Sequence, residues 1–492
     1  MMTKMSNERT GGLFILFGAS GDLAKRFILP ALHQLYQRDK LSKDFAIMGT
    51  SNREYTEDEF KELVEESVKG GPNYEDFSSD FLDLIYYHTM DNTQLQDYGD
   101  LHNKIDDIVE EHSLERNFLY YYSISPSLFS ETTTNLKQSG IVDKDQGADH
   151  RVIVEKPFGE DLETSKEYHD ILLETFTDDQ IYFNDHFPAM DMSQNILATR
   201  YFNPFIDGVL NADYIENVQI SLPEKLSVGD RGEFYDEYGA SLDMFQNHIL
   251  QLLTLVAMDL PEDISAEAVH DKKLDVLKNI PTLSKEEVEE NVVRGQYEAD
   301  HSRKYNNYRD EQDVPDDSNT DTYFAAKIDV AMDRWKDVPF YVRTGKALAE
   351  DFFAVDYVLK SPEGVNNDIP QRITFNIEPK TGLSVVLSQK DTKNDFDVRT
   401  TNLHTVKEES KDLYVPDPFE NIIEDAMRGE RMLFTTFSEI KEQWRIVDSI
   451  MDAWAEMPNP NFPNYRANTF GPRAADELPE KNGHEWIYRL NN

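Results

Sequence analysis

The chain has 492 residues, 39% of them hydrophobic, no cysteine, and a formal charge of −45 from 94 acidic against 49 basic residues. That charge argues against holding nucleic acid or an anionic membrane by bulk electrostatics, and the absence of cysteine excludes disulfides, thiolate nucleophiles and thiolate metal sites. The length suggests several packed units, and the sequence shows neither a run of about 18 apolar residues nor an apolar leader in MMTKMSNERTGG, which predicts a soluble cytoplasmic protein.

From Gly12 to about Asp185, short β-rich runs alternate with helical stretches. LFILFG precedes DLAKRFILPALHQLY, and FAIMGT precedes EDEFKELVEESVK; NFLYYYSIS, HRVIVEKPF, the helix-like SKEYHDILLETF and QIYFND continue the rhythm. Strands alternating with helices predict parallel pairing, hence a doubly wound, Rossmann-type domain over residues 1–185. Pro30 sits inside the first helical stretch and predicts two short helices or a kink. Beyond about residue 190 the β segments lengthen (NVQISLPEKL, TYFAAKIDVAM, FYVRTGK, RITFNI, LSVVLSQ) and crossover helices become few. A larger domain over 186–492, with a mostly antiparallel sheet and flanking helices, is therefore expected, giving an α/β plus α+β chain. Helices are expected over Ser241–Met258 and, in two pieces split at Gly429, from Pro418 to Trp454. Tyr305–Thr322 is polar without a period and reads as a loop.

The string Gly18-Ala19-Ser20-Gly21-Asp22-Leu23-Ala24 follows an apolar strand and opens a helix. There a glycine-rich turn brings backbone N–H groups and a helix N-terminus to a pyrophosphate; the plainer alternative is a tight β–α turn. The second strand ends in Thr50-Ser51-Asn52-Arg53 with no carboxylate for a ribose hydroxyl. Ser51 and Arg53 could accommodate a 2′-phosphate, which favours NADP, while Glu54 next door keeps NAD open. Lys156 of EKPFG stands at a strand end. His248 lies on a helix with Asp243 nearby, and Asp185 ends an apolar strand. A histidine on an apolar helix face is often a core residue, yet a base of near-neutral pKa is what hydride removal from a carbinol needs, and a carboxylate such as Asp185 could orient it. No metal site is expected.

GASGDLAKR, EKPFG, NDH (Asn184–His186), DMFQNH (Asp243–His248), RTGKAL (Arg343–Leu348), DAMRGE (Asp425–Glu430) and FGPRAADEL (Phe470–Leu478), in this order, resemble glucose-6-phosphate dehydrogenases over nearly the whole length. The resemblance implies a homodimer or homotetramer that oxidises the anomeric C1–OH of glucose 6-phosphate to the lactone with reduction of NADP, in the oxidative pentose phosphate pathway. It makes the 186–492 domain the one that binds substrate and dimerises. It makes His248 the base and Asp185 its partner, with Lys156 reaching both sugar and nicotinamide. Glu224 and Asp243 would bind sugar hydroxyls, His186 and Lys346 would face the sugar or its phosphate, and Asp91 would border the cofactor near Gly18–Leu23 and Arg53.

The chain also departs from that family. RIDHYLGK, the usual string, is FNDHFPAM here, so Phe183, Phe187 and Met190 replace an arginine, a tyrosine and a lysine. Phe27 and Asn52 replace basic residues, and Asp351 falls where relatives place a cation after Lys346. Two alternatives follow: a dehydrogenase for an unphosphorylated or different sugar, or a cofactor-binding paralogue without turnover.

Overall fold

The apolar runs of the N-terminal half become six strands, because β-branched and aromatic side chains suit a sheet covered on both faces. They are β1 (Thr10–Phe17), β2 (Leu41–Ser51), β3 (Ile85–Thr89), β4 (Asn117–Tyr122), β5 (Asp149–Glu155) and β6 (Ile181–Asn184). The computed structural model describes residues 10–71, 74, 76–143, 149–302, 304–361, 370–379, 381–390, 398–405 and 414–489. The chain forms two units. The first is Met1–Met190, Ser265–Glu267 and Tyr414–Lys441; the second is Asp191–Ile264, Ala268–Leu413 and Glu442–Asn492.

In the first unit the sheet order is β3-β2-β1-β4-β5-β6, with every pair parallel. Leu13 to Phe17 are wholly buried, as a central strand between two helical layers requires. The stretch containing Pro30 is a π-helical turn, Ala24–Ile28, followed by an α-helix, Leu29–Gln37. Proline stands in the first turn of that second piece, where a missing N–H is tolerated. Helix Glu57–Gly70 starts at Thr56, whose side chain and that of Glu59 bond each other's backbone N–H.

Helix Pro418–Arg428 belongs to this first unit, far along the chain from the rest of it. Its Phe419, Ile422, Ile423, Ala426 and Met427 share one core with Phe14, Leu16, Tyr121 and Ile153. Arg38 pairs with the buried Glu420 at 2.9 Å, and Arg151 and Asn117 donate to the Met427 carbonyl at 3.0 and 3.2 Å. Gly429 ends the helix at φ 79°, a left-handed conformation that suits glycine.

The second unit holds an eight-stranded sheet. Its strands are β7 (Ile215–Pro223), β8 (Val292–Gly295), β10 (Tyr323–Asp329), β11 (Pro339–Gly345), β12 (Phe353–Leu359), β13 (Arg372–Glu378), β14 (Gly382–Lys390) and β15 (Val398–His404). The order is β15-β14-β13-β12-β7-β11-β10-β8. All neighbours are antiparallel except β7 and β11. A small parallel pair joins β9 (Tyr297–Glu298) to β16 (Tyr465–Arg466). This is the expected α/β plus α+β chain. The segment from Tyr305 to Thr322 holds only one short helical turn, Tyr308–Asp310. Among the described residues no helix is long and apolar enough to cross a membrane.

Candidate active site

The six parallel strands of the first unit present their C-terminal ends on one side, where doubly wound sheets bind ligands. The turn after β1 starts at Gly18, whose φ of 80° and position leave no room for a side chain; a Cβ would lie 2.0 Å from the Ser123 carbonyl. The N–H groups of Gly18 and Ala19 both bond the Thr50 carbonyl at 2.9 Å, and that of Gly21 bonds the Gly18 carbonyl at 2.8 Å. These three groups therefore build the turn, and the helix begins directly behind them at Asp22. Asp22 and Leu23 lie in that opening turn, with Asp22 exposed and 3.2 Å from Arg26.

Behind the turn runs a chain of hydroxyls that sequence reading missed. Ser20 Oγ donates to Ser51 Oγ at 3.0 Å, and Ser51 Oγ shares a 2.7 Å bond with the Tyr87 hydroxyl of β3. Tyr87 also donates to the Arg53 carbonyl, and the Arg53 N–H reaches Ser51 Oγ at 3.3 Å. The backbone of Arg53 is thus held while its side chain is exposed at the end of β2. No carboxylate ends the strand, so these residues fit a dinucleotide carrying a 2′-phosphate. Arg53→Ala is expected to raise the KM for NADP by about 10-fold or more, the usual worth of a charge-assisted bond, with that for NAD nearly constant. An equal effect on both coenzymes, measured by initial rates, would show that Arg53 does not read the phosphate.

Asp91 follows β3 in a tight turn, where its carboxylate accepts from the N–H and hydroxyl of Thr93 at 3.0 and 2.8 Å. Lys156 follows β5, joined to Pro157 by a cis peptide. Before it, Glu155 accepts bonds on one oxygen, Oε1, from the Tyr121 hydroxyl and from Asn184 Nδ2, the latter at 2.7 Å. Burial pushes the Glu155 carboxyl up from 4.5 to about 7, against the lowering effect of those two bonds and of Lys156. A folded value above the unfolded one means that ionised Glu155 costs stability, fully above about pH 7 and not at all below pH 4.5. Glu155→Gln keeps the acceptor for both donors and removes the charge. The variant is expected to melt higher than wild type at about pH 8, with the difference gone by about pH 4. Thermal melts across that range check it.

Asp185 follows β6, is buried, and caps the short helix His186–Ala189 by accepting from the Phe187 N–H at 3.1 Å. The His186 ring lies 5.1 Å from that of Phe187 and is stacked 6.3 Å from Phe419, which itself stacks on Phe27 at 5.3 Å. Phe187, in place of a tyrosine, thus lies directly beside His186, and Phe27, in place of a basic residue, lies behind Phe419, the other ring against it. Phe183 packs elsewhere, edge-on to Phe158 at 5.1 Å.

In the second unit, Glu224 and Lys346 follow the paired strands β7 and β11. Their side chains meet, Lys346 Nζ lying 2.5 Å from Glu224 Oε2 and 5.8 Å from the ring centre of the buried Tyr235. Asp243 and Glu224 both help hold the Tyr235 hydroxyl in its protonated form, after the larger effect of burial. Asp243 and the buried His248 share one π-helical segment, Ser241–Ile249, a wider turn than the 3.6-residue pattern suggests. Phe245 of this segment stacks on Phe324 of β10 at 4.4 Å.

The same helix continues as Leu250–Ala257, and its C-terminal carbonyls are all engaged from outside. The wholly buried Arg200 donates to the Leu255, Val256 and Met258 carbonyls at 2.7, 3.3 and 2.6 Å and to Asp207 at 2.9 Å. Trp335 Nε1 bonds the Ala257 carbonyl at 2.6 Å and the Tyr357 hydroxyl bonds that of Val256 at 2.9 Å. The helix that carries His248 thus has a fixed end rather than a frayed one.

Comparison with known proteins divides the chain once, between residues 195 and 197. Residues 15–195 match the family model "Glucose-6-phosphate dehydrogenase, NAD binding domain", and residues 197–487 match "Glucose-6-phosphate dehydrogenase, C-terminal domain". Glucose-6-phosphate 1-dehydrogenase of Streptococcus pneumoniae serotype 4 is 36% identical over 96% of both chains. That of Leuconostoc mesenteroides is 34% identical over 97% of this chain and 98% of its own. A solved glucose-6-phosphate dehydrogenase in complex with glucose-6-phosphate superposes with a TM-score of 0.88 at 28% identity, covering 98% of this chain and 100% of that one. The Mycobacterium avium enzyme gives 0.81 at 29%, again covering 98% of this chain and 100% of that one. With family models matching both halves and relatives 36% and 34% identical over nearly the whole length, the chain belongs to the glucose-6-phosphate dehydrogenase family.

Proposed function

We propose that the chain is a glucose-6-phosphate 1-dehydrogenase that oxidises the C1–OH of glucose 6-phosphate to 6-phosphogluconolactone with NADP. The observation that carries the reading is the second unit's cluster of Glu224, Lys346 and Tyr235, with Asp243 close by on the segment that runs on to His248. Such a set supplies acceptors for sugar hydroxyls, a cation for an anionic group and a base for one proton. NADP, when bound, accepts the hydride from C1. The hydroxyl proton goes to a ring nitrogen of His248, and the resemblance assigns Asp185 the orientation of that ring. Lys156 serves the sugar and nicotinamide, and His186 serves the sugar or its phosphate. The Gly18–Leu23 turn and Arg53 hold the dinucleotide phosphates, with donors drawn from Ser20, Asp22 and Leu23 because the N–H groups of Gly18 and Ala19 are spent on Thr50 and that of Gly21 on Gly18. Asp91 borders that site. The first unit is the coenzyme domain and the second binds the sugar and joins subunits as a homodimer or homotetramer in the cytoplasm.

A second reading, an unphosphorylated or differently substituted sugar, is favoured by the aromatic rings of Phe187 and Phe419 beside His186, with Phe27 stacked on Phe419. NADPH absorbance with glucose 6-phosphate, glucose and other sugar phosphates separates the two. Phe187→Tyr with Met190→Lys is expected to lower the KM for glucose 6-phosphate by at least ~10-fold if the phosphate is held there, since each restored donor contributes roughly 1 kcal/mol or more. Under the second reading the same change weakens turnover of a neutral sugar by placing a cation in an apolar pocket.

A further inference from the structure

The helix carrying Asp243 and His248 does not start as ordinary helices do. The helix before it, Gly232–Ala240, is broken at Gly239, where φ is 62° and ψ is −179°. The chain restarts immediately, leaving new first-turn N–H groups inside the protein, where water does not reach them. A single residue from the polar segment before β10 takes up the first two of them. The Asp321 carbonyl accepts from the Ala240 N–H at 2.8 Å, and its carboxylate accepts from the Ser241 N–H at 2.8 Å and the Ser241 hydroxyl at 3.0 Å. Asp321 is itself buried. The fit is close enough that a Cβ on Gly239 would lie 2.6 Å from Asp321 Oδ1 and 3.0 Å from its carbonyl oxygen.

The next residue ties in the other half of the cluster. The Thr322 carbonyl accepts the Lys346 N–H at 2.8 Å, and the Tyr465 hydroxyl bonds the carbonyls of both Thr322 and Lys346, at 3.1 and 2.8 Å. Lys346 then meets Glu224, whose backbone pairs with Gly345 and Leu348. Asp321-Thr322 is therefore a bracket: one residue fixes where the helix of Asp243 and His248 begins, the other fixes the turn of Lys346.

From this geometry we infer that Asp321 is a positioning residue for the dehydrogenation, setting the axial and rotational register of the helix that carries His248. The inference rests on the proposed function, in which His248 takes the C1–OH proton. An ionised carboxylate suits the N-terminal end of a helix, and the Ser241 bonds and Arg294 draw its carboxyl down against the stronger upward push of burial, which brings it to about 6. An error of an ångström in the placement of a base is enough to cost about 10²-fold in rate. Coenzyme binding, which uses first-unit residues, has no part in the bracket.

The test uses the full chain with Asp321→Ala, Asp321→Asn and Ser241→Ala. It measures kcat, the KM values for glucose 6-phosphate and NADP, and the primary isotope effect on kcat with substrate deuterated at C1. Asp321→Ala is expected to lower kcat by about 10–100-fold and raise the isotope effect, because a misplaced base makes the chemical step limiting, while the KM for NADP changes by less than about two-fold. Asp321→Asn keeps one acceptor and should lie between Asp321→Ala and wild type. A kcat within about two-fold of wild type in folded Asp321→Ala overturns the inference, as does a loss of kcat with an unchanged isotope effect. Should Asp321→Ala not fold, Ser241→Ala decides: it removes one bond, and a wild-type kcat and isotope effect overturn the inference. Wild-type protein that does not turn over glucose 6-phosphate overturns the functional reading, and the inference with it; active wild type with unaffected variants sinks the inference alone.

Discussion

His248→Asn is expected to lower kcat by about 10²–10⁴-fold or more, the usual worth of a positioned general base, with the KM values for sugar and coenzyme within a few-fold of wild type. Asparagine is close to histidine in bulk near the backbone and keeps polar groups in the segment, but it cannot take a proton near neutral pH. In the dehydrogenation the hydride and the hydroxyl proton leave together, so removing the acceptor raises the barrier without removing a ground-state contact. His248 is buried on a helix held at its far end by Arg200, Trp335 and Tyr357, so the substitution has little freedom to be absorbed by movement of the backbone. Steady-state kinetics on a variant shown folded by its circular dichroism and melting curve check this. Turnover near that of wild type would falsify the assignment of His248 as the base.

Arg200→Leu is expected to be the most damaging single change to stability. The guanidinium is wholly buried and divides its donors among three carbonyls and Asp207. Leucine leaves the Leu255 and Met258 carbonyls without that partner, whereas Val256 retains Tyr357. Asp207 keeps one cation, because Arg334 also lies 2.9 Å from its Oδ1. Breaking a buried ion pair from one side costs about 3–5 kcal/mol, and orphaned carbonyls of roughly 1–3 kcal/mol each bring the change to the upper part of that range. Spread over the unfolding entropy of the second unit, the melting temperature should fall by roughly 5–9 °C. A drop under about 3 °C by calorimetry would mean that water or a neighbouring side chain takes over the carbonyls.

Much of the architecture is legible in the sequence because it is periodic. LFILFG, FAIMGT, NFLYYYSIS, HRVIVE and QIYFN give five of the six parallel strands, the short edge strand β3 being the one not read, and Pro30 and Gly429 mark breaks that the structure contains. The place of Pro418–Arg428 is less so. Its apolar stripe announces a helix but carries no address, and nothing in Phe419, Ile422 or Met427 says which sheet they cover. The site divides in the same way. Residues in strings with a chemical grammar, such as Gly18, Lys156 and His248, can be singled out from the chain alone. Tyr87, Tyr121 and Asp321 cannot, because each acts through a partner distant in sequence: Ser51, Glu155 and Ser241. Asp321 is one of several acids in a stretch that reads as a solvated loop, and only burial sets it apart.

The return of residues 414–441 to the first unit bears on how the protein is made. A ribosome that has completed the six strands of the parallel sheet has still to synthesise the helix whose Phe419, Ile422, Ile423, Ala426 and Met427 close its core. During roughly 230 residues of further translation, at about 5–20 residues per second, that apolar face waits for some ten to fifty seconds. An N-terminal fragment ending near Met190 should therefore be sticky and chaperone-dependent, and adding a separate polypeptide that carries residues 414–441 should restore its solubility.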